Sequence, residues 1–164
     1  MDWKLEVVIA PVSDVERARA FYVDTLGFRL DTDFAPNENF RVIQVTPPGS
    51  ACSIVFGTGL GGGVAPGSLK GAHLVVEDIE AAHAQLTERG VENSGPVHFA
   101  DGVQTPGVEP NRADYSSAGN SVASTASVAS EGVLASSADY GTFLYFEDPD
   151  GNTWAVQEIR NHAR

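Results

Sequence analysis

The stretch Val12-Ser13-Asp14-Val15-Glu16-Arg17-Ala18-Arg19-Ala20 returns as Val76-Glu77-Asp78-Ile79-Glu80-Ala81-Ala82-His83-Ala84. Each copy follows a short apolar run and leads to a glycine, in Thr25-Leu26-Gly27-Phe28 and in Glu88-Arg89-Gly90-Val91. A strand-then-helix unit present twice implies two similar modules related by pseudo-symmetry. Two such modules leave a cleft, the usual place for a small molecule.

The first copy sits in a β-α-β-β-β pattern. Leu5 to Val12 is apolar enough for a buried strand. Ser13-Asp14-Val15-Glu16 matches a capping box, with Ser13 at the N-cap and Glu16 three residues on. Val15, Ala18, Phe21, Tyr22 and Leu26 then follow helical spacing, and Gly27 ends the helix. Strand patterns follow at Phe28 to Asp33, Phe40 to Val45 and Ala51 to Phe56, with Pro36-Asn37-Glu38-Asn39 and Pro47-Pro48-Gly49-Ser50 as turns. Module 1 therefore spans about 4–57, and the glycine-rich 58–70 reads as a linker. Its Gly57-Thr58-Gly59-Leu60-Gly61-Gly62 matches G-x-G-x-x-G formally. A dinucleotide site needs a helix opening at once, however, and Val64-Ala65-Pro66-Gly67 follows instead.

Module 2, about 71–160, repeats the plan. A strand at Ala72 to Val76 precedes a helix from Asp78 to about Arg89, with Ile79, Ala82 and Leu86 inward. A weak strand covers Pro96 to Phe99. Strong strands return at Gly141 to Phe146 and Thr153 to Ile159, joined by the turn Asp148-Pro149-Asp150-Gly151-Asn152. Between them, 113–138 is rich in Ser and Ala, with too few large apolar groups to fold alone. Near-copies bracket it, Ala113-Asp114-Tyr115-Ser116 and Ala138-Asp139-Tyr140-Gly141. It reads as an insertion, either inert at the surface or a lid over the cleft.

At 164 residues the chain is one domain's worth, 1–164. Its formal charge of −12 argues against nucleic acid and anionic membrane as partners, since both need a basic footprint. No apolar run approaches the ~20 residues that span a bilayer. The N-terminus lacks a signal-peptide pattern, and a lone Cys52 excludes an internal disulfide, so a cytoplasmic location is expected.

With the repeat, the Ser-Asp-Val-Glu-Arg-Ala-Arg-Ala-Phe-Tyr helix at 13–22, Leu26-Gly27-Phe28 and the Asp148-Pro149-Asp150-Gly151-Asn152 turn in view, the chain resembles the glyoxalase/bleomycin-resistance group, the vicinal oxygen chelate superfamily. The resemblance covers all but the Ser/Ala insertion. It implies an α+β fold of two pseudo-symmetric βαβββ modules forming a curled mixed sheet around a cleft. Members include glyoxalases, extradiol dioxygenases, thiol transferases, epimerases and inert drug-binding proteins, and fold alone does not choose among them.

Metal-using relatives place a histidine seven residues before the aspartate of each helix entry and a glutamate three residues after the turn's asparagine. These positions here are Val7, Gly71 and Ala155, none of which can coordinate a cation. The resemblance therefore implies no metal and no cofactor.

Strand alternation supplies the expected cleft lining. Val7, Ile9 and Pro11 share one face of the first strand, with Val8, Ala10 and Val12 beneath the helix. His73 and Val75 accompany Gly71, Gln157 accompanies Ala155, and Phe143 and Tyr145 face inward if Leu144 and Phe146 pack under the helix. The expected ligand-binding set is Val7, Ile9, His73, Val75, Phe143, Tyr145 and Gln157. Phe21, Leu26, Leu86, Phe146 and Val156 are expected in the core. Each polar member has a plainer alternative: His73 as a satisfied structural histidine, Gln157 as a backbone partner, Tyr145 as packing. Cys52 reads as a small buried residue, and His83 and His98 join no ligand spacing.

Three functions compete. A binding protein of the drug-resistance type would hold an aromatic or cationic ligand without metal. A lyase, isomerase or dioxygenase-like enzyme would use relocated ligands or metal-free acid/base chemistry. A protein with a decayed cleft would act by assembly. A homodimer is expected for the fold.

Overall fold

The computed structural model describes residues 1–60, 63–100, 103–106 and 141–159, with the backbone alone for 98–100, 103–106 and 141. The Ser/Ala-rich stretch 113–138 and the side chain of His98 lie outside the described residues. In chain order the elements are β1 (Val7–Ile9), α1 (Val15–Arg19) continued by a π-helical segment (Ala20–Thr25), β2 (Arg29–Asn37), β3 (Phe40–Thr46), β4 (Ser53–Thr58), β5 (Ala72–Val76), α2 (Ile79–Glu88), β6 (Val97–Ala100), β7 (Val103–Pro106), β8 (Gly141–Glu147) and β9 (Thr153–Glu158).

They form two mixed sheets, ordered β1-β4-β3-β2 and β5-β9-β8-β6-β7. The first strand of each module pairs parallel with its last, β1 with β4 and β5 with β9. All other pairings are antiparallel. The two orders superimpose strand for strand, so the repeated sequence is a repeated βαβββ unit in an α+β fold. β7 is an additional strand, outside β6, that the sequence pattern did not announce.

The repeat also fixes how the helices begin. Asp14 and Asp78 are extended N-caps with φ/ψ of −131/107 and −140/109. Their carboxylates accept the amides of Arg17 at 3.0 Å and Ala81 at 2.9 Å. Ser13, the expected cap of α1, is displaced by one residue: its hydroxyl donates instead to Asp150 Oδ1, and Asp14 satisfies the helix end.

The helices end at Gly27 and Gly90, both left-handed at φ 74 and 73 as a glycine allows. Gly27 follows Asp14 by thirteen positions, whereas Gly90 follows Asp78 by twelve. The extra residue is absorbed by the π turn, in which Leu26 N donates to Phe21 O at 2.8 Å, five residues back. That wider turn brings Tyr22 fully into the core and leaves Phe21 only partly buried at its margin, contrary to expectation. Leu26, Leu86, Phe146 and Val156 are buried as expected.

One core lies between the sheets. Ile43, Val45, Ile54 and Phe56 come from the first sheet, Leu144, Phe146, Trp154 and Val156 from the second, and Ala18, Tyr22, Ile79 and Leu86 from the helices. Tyr22 touches both sheets, with ring centroids 5.3 Å from Phe56 and 6.1 Å from Trp154. Its hydroxyl donates to Asp148 Oδ2 at 2.8 Å and accepts Trp154 Nε1 at 3.2 Å. Fully buried Asn152 donates to Asp148 Oδ2 at 2.7 Å and to Pro11 O at 2.9 Å, while its Oδ1 accepts Leu69 N at 3.0 Å. The Asp-Pro-Asp-Gly-Asn turn thus joins the β8–β9 hairpin to β1, to the approach of β5 and to α1.

Candidate ligand-binding faces

Burial alternates along β1, β5 and β8 as the sequence pattern expects, whereas on β9 Ala155 is buried together with Trp154 and Val156. Ala10, Leu144, Phe146, Trp154 and Val156 are buried on the helix side. Val7 and Ile9 are 36% and 52% exposed, and Val75 is 59% exposed. His73 is exposed, and Phe143, Tyr145 and Gln157 are half-buried.

Five of the seven candidates come together on the open face of the second sheet. Register aligns His73, Ala155 and Tyr145 in one row, and Val75, Gln157 and Phe143 in the next. Phe143 and Tyr145 lie nearly parallel, at 8° with centroids 6.3 Å apart, and His73 meets Phe143 edge-on at 6.1 Å. The result is an aromatic shelf. Ala155, between His73 and Tyr145 in its row, is buried. Burial raises the Tyr145 phenol above its ordinary value, so at neutral pH it remains a hydrogen-bond donor. Among the described residues no hydrogen bond engages the His73 ring or the Tyr145 hydroxyl.

Val7 and Ile9 occupy the equivalent face of the other sheet, opposite Ser53 and Val55 of β4. Sequence reasoning missed the polar residues beside them. Gln44 Nε2 donates to Ser53 Oγ at 3.0 Å, Ser53 Oγ meets Thr46 Oγ1 at 2.7 Å, and Thr46 Oγ1 donates to Asp31. The Thr46 hydroxyl first, then the Arg29 guanidinium, hold Asp31 below the usual carboxylate range. Gln44 and Thr46, two apart on β3, share a strand face, which was the signal available. The Asp31 contribution was not legible, because it depends on a register shift between Leu30 and Thr32.

Among the described residues no hydroxyl or thiol is hydrogen-bonded to a histidine, the contact that would make a nucleophile. His83 Nδ1 pairs with Asn93 Oδ1 at 2.8 Å on α2, and Cys52 is half-buried. Glu158 points to the helix side, where it accepts Ile79 N at 3.1 Å beside the Asp78 cap. Val7, Gly71 and Ala155 carry no side-chain donor for a cation. Among the described residues no three His, Cys, Asp or Glu side chains gather as a metal cluster. None of the helices there is long and apolar enough to cross a membrane.

Comparison with known proteins agrees with this architecture. The model of the glyoxalase/bleomycin resistance protein/dioxygenase superfamily matches residues 4–105. TnmS3, an antibiotic binding protein from Streptomyces sp. CB03234, is 29% identical, with 96% of each chain covered and a TM-score of 0.62. A glyoxalase/bleomycin resistance protein from the same organism is 30% identical over 94% of this chain and 100% of its own, with a TM-score of 0.60. A superfamily member from Sphaerobacter thermophilus DSM 20745 is 26% identical over 96% of this chain and 98% of its own, with a TM-score of 0.64. No curated protein matches. A family match over more than half the length, on a fold that repeats one βαβββ unit twice, places this chain in the glyoxalase/bleomycin-resistance/dioxygenase superfamily.

Proposed function

We propose that the protein is a metal-independent small-molecule-binding protein that holds a planar aromatic, neutral or cationic ligand against the open face of its second sheet. The observation that carries this reading is the aromatic shelf of His73, Phe143 and Tyr145 on the open face of that sheet. Stacking supplies affinity, and Tyr145, His73 and Gln157 supply orientation. The net charge of −12 adds a long-range preference for cations that salt screens. The similarity to an antibiotic binding protein supports a small-molecule ligand. A panel of planar antibiotics and dyes, titrated by tryptophan fluorescence, should contain micromolar binders; a panel with none would count against the reading.

The superfamily metal plays no part in it. Protein purified without a histidine tag should carry well under one equivalent of zinc, nickel, iron or manganese. A near-stoichiometric metal would mean that ligands have been relocated and would favour an enzyme.

The working form is a homodimer. Trp3, Leu5, Val7 and Ile9 recur at every second residue along β1 and its approach, and all four are exposed, Trp3 by 89% and Leu5 by 69%. β1 and β5 are both terminal strands of their sheets. An apolar strip on a sheet edge is a surface that a second copy covers by two-fold pairing. Light scattering at micromolar concentration should give twice 17.3 kDa, and a solely monomeric species would refute the dimer.

A further inference from the structure

We infer that the chain has a second site, on the opposite side of β5 from the aromatic shelf, that takes a small amphipathic anion such as an aromatic carboxylate or sulfonate. A cavity of about 530 Å³ lies between the modules. α2 and the inner face of the second sheet form one wall, through Leu86, Leu74 and Phe146; the end of the first helix and the Pro47–Ser50 turn form the other. That volume is in the range of small-ligand sites.

The lining sets the sign of the ligand. It includes one permanently charged residue, Arg89, and no aspartate or glutamate. Arg89 closes α2 and reaches over to the end of the first helix, where Nη1 donates to Thr25 O at 3.0 Å. Among the described residues Arg89 pairs with no carboxylate. A guanidinium carries five N–H donors in a fork suited to a carboxylate or sulfonate, so the contact to Thr25 leaves donors for an anion. The acidic net charge opposes an anion only weakly here. Charges beyond ~8–10 Å are screened at physiological salt, whereas Arg89 would touch the ligand.

The cavity and the shelf use opposite faces of the same strands. Leu74, Val76, Phe146 and Val156 line the cavity, and they alternate with His73, Val75, Tyr145 and Gln157. Of the shelf's residues only His73 and Val75, on the edge strand, also line the cavity.

Two dyes that differ in one group provide the test: 8-anilinonaphthalene-1-sulfonate, and its uncharged parent N-phenyl-1-naphthylamine. Fluorescence titration at physiological salt should show one equivalent of the sulfonate per chain whose affinity depends on Arg89. Arg89→Gln should weaken that equivalent by about tenfold or more and leave the uncharged dye within about twofold, while Arg89→Lys retains most of the sulfonate affinity. Gln85→Trp, from an exposed position on α2, should block the cavity, and Tyr145→Ala should leave this equivalent intact. Arg89→Gln without effect on the sulfonate, or weakening both dyes equally, would overturn the site. Loss in Tyr145→Ala but not in Gln85→Trp would place the dye on the shelf and also overturn it. Thermal melts of each variant separate loss of the site from loss of the fold, and Gln85→Trp tests the cavity without removing the Thr25 contact.

Discussion

Replacing Asp148 with alanine should cost about 3–5 kcal/mol of folding stability, the loss expected when a buried charged hub is removed from its donors. Its Oδ1 accepts the amides of Asp150 and Asn152, both at 2.9 Å. Its Oδ2 accepts Tyr22 Oη at 2.8 Å and Asn152 Nδ2 at 2.7 Å. Alanine leaves these donors without their acceptor at the joint between the modules. Tyr22→Phe removes two of the joint's hydrogen bonds, the one to Asp148 and the one from Trp154, and should cost less, about 1–3 kcal/mol.

The two variants differ in a second way. Burial first, and the Asp148 charge after it, push the Tyr22 phenol well above its ordinary value. Stability from the neutral phenol is therefore complete below about pH 10, where the unfolded tyrosine ionises, and falls as pH rises beyond it. Urea unfolding at neutral and alkaline pH should show this decline in the wild type, with Tyr22→Phe flattening it. An Asp148→Ala variant within about 1 kcal/mol of wild type would mean that the turn does not hold the modules together.

Phe146→Ala should be nearly as damaging, at about 3–5 kcal/mol, because the ring is 1% exposed and stacks on Trp154 with centroids 6.5 Å apart. Phe21→Ala should cost less, about 1–2 kcal/mol, because the π turn holds that ring at the core margin, 6.3 Å from Phe146. Equal losses from chemical denaturation of the two variants would contradict the assignment of Tyr22, rather than Phe21, to the interior.

That contrast marks where the sequence was legible and where it was not. Strand parity was readable because each alternating run has a buried side, so Leu144/Phe146 against Phe143/Tyr145 leaves one choice of face. The helix entries were readable from the repeated aspartates, although Ser13 drew the cap one residue early. The inner face of the first helix depended on one inserted residue. A π turn and a longer α-helix have the same composition, and only the unequal spacing to the two glycines separates them. The Asp31–Thr46–Ser53–Gln44 chain and the Arg89 cavity were invisible for another reason: both form between segments whose proximity is set by register and module packing, not by local pattern.

The aromatic shelf as a ligand site is tested most directly by titrating the tightest planar antibiotic from the binding panel against wild type and Tyr145→Ala, with melting temperature measured on the same samples. Losing the ring that stacks at 6.3 Å on Phe143, together with its hydroxyl, should weaken binding by about tenfold or more. The melting temperature should move little, because Tyr145 lies half-buried on the open face. Unchanged affinity, with or without a sharp fall in melting temperature, would assign Tyr145 to packing and contradict the shelf as the site.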